Sequence, residues 1–195
     1  MITTATIVAF IVILLAGMVQ GLTSFGFSLL SVPILSIFLP LKIIVPVLIV
    51  LSFALNSVIF YKVKEYVKLR KIVYLVVFGI LATPLGTYLL LFIDEKLLQI
   101  GVGVIVTFTA VMFWLGYKVT IKNEKISLSL VGIMSGLLNG SVSLSGPPVI
   151  VFLTNQGVKK QVFRANLTSF FLILNIITIP TYFFRIIKRE SSLFQ

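Results

Sequence analysis

The sequence predicts an all-α protein: a polytopic transmembrane helical bundle with an inverted internal repeat and two broken, re-entrant hairpins. Three observations predict it. Of 195 residues, 59% are hydrophobic and only 11% are charged, against roughly a quarter charged in soluble domains. The charged residues stand in short clusters that divide the chain into apolar runs of membrane-spanning length. Two further runs, too long for one helix, carry similar segments rich in Gly, Ser and Pro.

In chain order, the run from Met1 to Leu41 has no charge and contains the helix breakers Gly21, Gly26 and Pro33, so it reads as a broken hairpin. Lys42, the first charged side chain, snorkels at the interface, and with no basic residue ahead of the apolar run a cleaved signal peptide is not expected. The runs Ile43 to Tyr61, Ile72 to Ile93, Leu97 to Tyr117 and Ala165 to Phe184 each come close to the ~20 residues of one crossing. Trp114 and Tyr117 read as interfacial belt residues. Asn56 and Asn175, inside apolar helices, are expected to bond across helix contacts. The run from Ile126 to Val158 is too short for two crossings of about 20 residues each, but suits a second broken pair, with Gly136, Gly140, Gly146, Pro147 and Pro148 as breakers.

The two broken runs resemble each other. Gly17 to Leu35 reads GMVQGLTSFGFSLLSVPIL, and Gly132 to Ile150 reads GIMSGLLNGSVSLSGPPVI. At an offset of 115, Gly17, Gly21, Leu22, Ser28 and Pro33 fall on Gly132, Gly136, Leu137, Ser143 and Pro148. Basic clusters set the topology: Lys62 to Lys71, then Lys118, Lys122 and Lys125, then Lys159, Lys160 and Arg164. Placing all three in the cytoplasm puts the N-terminus outside and leaves three crossings between the two copies. An odd number inverts the second copy, the arrangement of alternating-access transporters.

Several functions are excluded or disfavoured. The net charge of +11 lies in loop clusters rather than along one basic face, so nucleic acid is not an expected partner. There is no Cys and no His, which removes thiolate chemistry and the commonest metal ligands and general bases. A serine hydrolase built on Ser143 or Ser145 would lack its base, so no enzyme is expected. None of the single-crossing runs holds an acid, so a carboxylate proton relay or acidic cation cage has no candidate, which favours anions as solute.

At a mid-membrane break, freed N–H groups and the partial positive charge of a helix N-terminus suit an anion. Neutral hydroxyls and amides add donors without a counter-ion. The candidate substrate-binding residues are Thr23, Ser24, Gly26 and Ser28 in the first break and Asn139, Gly140, Ser141 and Ser143 in the second. Ser31 and Ser145 are further hydroxyls in these segments. Gly17, Gly21, Gly132 and Gly136 are expected to be packing residues, because G-x-x-x-G is a close-contact face.

These paired G-x-x-x-G-L segments, each followed by a Ser/Gly-rich break and a Pro in two halves of about 120 residues, resemble the TauE/SafE family of sulfite and organosulfonate exporters. The resemblance runs from about Ile7 to Pro180. It implies export of a small sulfur-containing oxyanion across the cell membrane, with a first transmembrane repeat in residues 1–120, a second in 121–195 and no cofactor. The second repeat is expected to be incomplete, since two further crossings would follow Phe184. Pairing into a homodimer would cover the faces so exposed. A non-transporting scaffold subunit or inactive truncated copy is the alternative.

Overall fold

The computed structural model describes residues 4–116 and 123–193. Lys118, Lys122 and Tyr117 fall outside these residues, as do the side chains beyond Phe184. The described residues form eight α-helices and two short 3-10 turns: α1 Thr4–Thr23, α2 Phe27–Leu35, α3 Leu41–Val63, α4 Val73–Phe92, α5 Glu95–Trp114, α6 Glu124–Val142, α7 Gly146–Asn155 and α8 Lys160–Leu193. Six of them, all but α2 and α7, are long and apolar enough to cross a bilayer. The four single-crossing runs are α3, α4, α5 and α8.

Each long run is broken, though not into two half-helices. A span-length helix, α1 or α6, meets a short one, α2 or α7, of 9 or 10 residues. The breaks fall at Ser24–Gly26 and Ser143–Ser145. Gly21, Gly136 and Gly140 lie inside helices, Pro33 lies inside α2, and Pro147 and Pro148 open α7.

The order of long helix, break, short helix and long helix thus occurs twice, with starts at Phe27 and Gly146 and at Leu41 and Lys160, each pair 119 residues apart. Backbone conformation keeps the same register. Ser24 and Ser143 are the two described non-glycine residues with positive φ, 67° and 59°. Their N–H groups donate to Gln20 O and Asn139 O, also 119 apart. The structural register is therefore 119, not the 115 read from the sequence. Gly132, Gly136 and Gly140 recur every fourth residue, so a slip of one helical turn still matches glycine to glycine.

Those glycines set how α4 and α6 pack. A Cβ at Gly132, Gly136 or Gly140 would lie 2.6, 2.2 or 2.3 Å from Leu75 O, Gly79 O or Thr83 O, and one at Gly86 of α4 would lie 2.3 Å from Leu137 O. The two backbones touch, a contact that only glycine permits. On α1, by contrast, Gly21 has nothing within 4 Å and Gly17 meets only Leu55 Cδ1 at 3.9 Å. Within the chain the close backbone contact expected of all four glycines is made by the α6 pair alone, because only the Leu55 side chain of α3 approaches Gly17 and nothing approaches Gly21.

Beside a small apolar core of Ile59, Val63 and Ala165, two large ones result. One joins Phe27, Leu41, Leu48, Ile49, Leu90 and Leu144 around α2 and α3; the other joins Leu75, Leu128, Val149, Phe170 and Leu174 around α6 to α8. Large apolar side chains also cover the outside, as a lipid-facing surface requires: Leu22 and Ile37 are each 75% exposed and Trp114 88%. At one end of the bundle α5 holds the α2–α3 turn. Glu95 Oε1 accepts from Leu41 N at 2.6 Å and Gln99 Nε2 donates to Ser36 O at 3.0 Å, so a carboxylate sits at the positive end of α3.

Candidate functional site

The two breaks meet. Ser28 Oγ and Ser143 Oγ lie 3.1 Å apart, one hydroxyl from each broken segment. Beside them is a cavity of about 30 Å³, room for one or two water molecules. Its polar wall comprises Gln20, Ser28, Ser52, Asn139, Ser143, Ser145 and Asn175, with Phe25, Phe27 and Phe171 among its apolar members. No charged side chain lines it.

Two helix N-termini open onto this space. Gly26 to Leu29 bring the start of α2, and Ser145 and Gly146 bring the start of α7. Each carries a partial charge of roughly +0.5. They differ in donors, since Pro147 and Pro148 remove two N–H groups from the first turn of α7. In α2 the first-turn N–H groups are present, and that of Phe27 donates to Gln20 Oε1 at 3.2 Å.

A network of amides and hydroxyls fixes the wall. Gln20 Nε2 donates to Asn56 Oδ1 at 2.9 Å, and Asn56 Nδ2 and Asn175 Nδ2 both donate to Ser52 Oγ, at 3.1 and 3.4 Å. These bonds join α1, α3 and α8, as expected of Asn56 and Asn175. Asn139 Nδ2 donates to Thr178 Oγ1 at 2.8 Å, tying α6 to α8. Satisfied amides of this kind orient their remaining oxygen and N–H groups without bringing a charge into the membrane.

Of the eight residues singled out from the sequence, Gly26, Ser28, Asn139 and Ser143 are brought together in the cavity wall. The other four are engaged nearby. Thr23 Oγ1 donates to Val19 O at 2.8 Å and accepts from Phe25 N at 3.2 Å, closing the end of α1. Ser24 Oγ accepts from Arg164 Nε at 2.9 Å. Gly140 is pressed against α4, and its carbonyl accepts from the Tyr182 hydroxyl. Ser141 Oγ donates to Leu137 O at 2.8 Å. Gln20 and Ser52 were not singled out. A lone amide in a charge-free span was their only signal in the case of Gln20, and Ser52 had none.

Ser31, although a hydroxyl of the first segment, is buried without a partner for its Oγ. Among the described residues no group of acids could hold a metal ion. The site thus combines neutral hydroxyl and amide donors with two helix N-termini where the two broken segments touch.

No curated protein and no solved structure matches the chain. The model of the family described as Sulfite exporter TauE/SafE matches residues 9–192, nearly the whole length. The six apolar span-length helices fit that family's place in the membrane. The chain belongs to the sulfite exporter TauE/SafE family of membrane transporters.

Proposed function

We propose that this chain exports a small sulfur-containing oxyanion, sulfite or an organosulfonate, by alternating access around the cavity between its two breaks. The observation that carries the reading is a polar wall without charge, faced by two helix N-termini, in a chain of this family. Hydroxyl and amide donors stabilise oxyanion oxygens, and the helix ends supply positive potential with no counter-ion to strip away. At about 30 Å³ the cavity is tight, so loading requires the two breaks to part, with the Ser28–Ser143 contact opening as they do.

The two units, residues 1–120 and 121–195, are inverted with respect to each other in this reading, with the basic clusters in the cytoplasm and the N-terminus outside. Supporting the inversion, the last turns of α1 and α6 are bonded near opposite ends of the apolar part of α8, at Arg164 and Tyr182. The homodimer is proposed on the open face of α1, where Gly17 and Gly21 offer a close helix contact.

The test is uptake and efflux of radiolabelled sulfite and a small sulfonate in proteoliposomes of the full chain, beside the Ser28→Ala/Ser143→Ala double variant. Saturable flux that the double variant reduces by about tenfold or more supports the reading, given about 1 kcal/mol for each hydroxyl bond. Folded protein without flux for either solute would leave a scaffold subunit as the function.

A further inference from the structure

Arg164, in the second turn of α8, clasps the last turn of α1. Its Nε donates to Ser24 Oγ and its Nη2 to Gly21 O, both at 2.9 Å. Both acceptors are uncharged, and among the described residues no carboxylate pairs with it. Its chain neighbour Phe163 meets the ring of Phe25 edge-on, centroids 6.5 Å apart, and Phe25 is in the cavity wall. The guanidinium is outside the cavity lining but bonds Ser24, the chain neighbour of the lining residue Phe25, and has further N–H donors.

The repeat supplies the control for what a clasp alone needs. Gly140 corresponds to Gly21 in the 119 register, and its carbonyl is held by the neutral hydroxyl of Tyr182. There a neutral hydroxyl makes the clasp, beside glycine contacts with α4. At the end held by Arg164 the corresponding bond is made by a cation.

We propose that Arg164 determines anion specificity by drawing the solute into the cavity: it holds the α1 end closed through Gly21 O and Ser24 Oγ, and exchanges these neutral acceptors for two oxygens of the arriving oxyanion. The clasp bonds already have a charged donor, and an oxyanion adds an opposite charge and matches the guanidinium fork bidentately. An arriving anion therefore competes for the guanidinium and, in taking it, releases the last turn of α1. The proposal rests on the anion-export reading above.

The test compares the full chain with Arg164→Gln and Arg164→Lys in proteoliposomes, measuring initial sulfite flux against concentration, and thermal midpoints in detergent. Arg164→Gln is expected to raise KM by about tenfold or more with kcat within about twofold, the loss of one charged bidentate pair. Arg164→Lys, which keeps the charge but not the fork, raises KM by about threefold. An unchanged KM in Arg164→Gln, with only a lower thermal midpoint, would reduce Arg164 to a clasp and overturn the proposal. Should Arg164→Gln fail to fold, Arg164→Lys decides by the same KM criterion. Wild-type chain that neither carries nor, by calorimetry, binds sulfite or the small sulfonate overturns the export reading and this proposal together. Calorimetric binding without flux, lost in Arg164→Gln, upholds the residue's role and removes only transport.

Discussion

The two breaks share a backbone design and differ in what surrounds it. Both end a span-length helix in a serine of positive φ, and both are held to α8 by a bond to a glycine carbonyl one residue short of a turn earlier. The first is held by Arg164 and leaves Gly21 facing open space, with Gly17 in ordinary contact with Leu55 alone. The second is held by Tyr182 and is sealed against α4 along Gly132, Gly136 and Gly140. Arg164 and Tyr182 lie about 27 Å apart along α8, at 1.5 Å per residue. The end of α6 is thus sealed by backbone contact with α4, whereas the end of α1 is held by side-chain bonds and by the apolar packing of α2.

Glycine substitution breaks that contrast most directly. Gly136→Leu would drive a side chain into Gly79 O, 2.2 Å from where its Cβ must sit. The obstacle is backbone, which cannot rotate away, so a loss of about 3 kcal/mol or more is expected, seen as loss of folded protein on size-exclusion in detergent. Gly21→Leu meets nothing within 4 Å inside the chain, so it is expected to change the stability of the single chain by less than about 1 kcal/mol while weakening the proposed pairing on that face. Equal damage at both positions would mean that α1 is covered in the membrane, and crosslinking through a cysteine at Gly17 would then show a second copy on that face.

How far this was legible in the sequence follows from the same contrast. The spacing of charges located four of the six span-length helices, α3, α4, α5 and α8, because bilayer thickness fixes that length, whereas α1 and α6 were hidden in the long charge-free runs that read as broken hairpins. The breaks were legible from their glycines and prolines, yet their register was not. A ladder of glycines every fourth residue is blind to a one-turn slip, whereas helix ends and the two positive-φ serines are not. At an offset of 115 Gln20 falls on Ser135 and looks unremarked; at 119 it falls on Asn139, and Asn56 falls on Asn175, so the polar wall becomes a repeated feature. Arg164 was legible only as one member of a basic loop cluster, since its reach to Ser24 and Gly21 depends on how α8 lies across α1.

Removing the neutral clasp tests the second break by itself. Tyr182→Phe leaves the ring in its buried place, where the residue is 4% exposed, and deletes the hydroxyl that donates to Gly140 O. The expected loss is about 0.6–1.5 kcal/mol, the worth of one hydrogen bond within a membrane bundle. Because glycine contacts hold the same turn to α4, KM for sulfite should stay within about twofold. A KM change as large as that of Arg164→Gln would erase the distinction between the two ends.

The smallest effect is expected at the two positive-φ serines, and it separates strain from bonding. An L-residue in the left-handed region costs roughly 1–2 kcal/mol, and glycine relieves that cost while losing the hydroxyl. At Ser143 the lost partner is Ser28 Oγ, a neutral contact at 3.1 Å. Relief and loss should then nearly cancel, leaving Ser143→Gly within about 0.5 kcal/mol of the parent in thermal midpoint. At Ser24 the lost partner is a guanidinium, and bonds to charged groups are worth about 1.5–3 kcal/mol, so Ser24→Gly should come out less stable than Ser143→Gly by about 1 kcal/mol. Thermal melts of the two variants side by side read that difference. Equal melts would mean that Arg164 contributes nothing to the closed first break, and the asymmetry of the two ends would then lie in the glycine contacts alone.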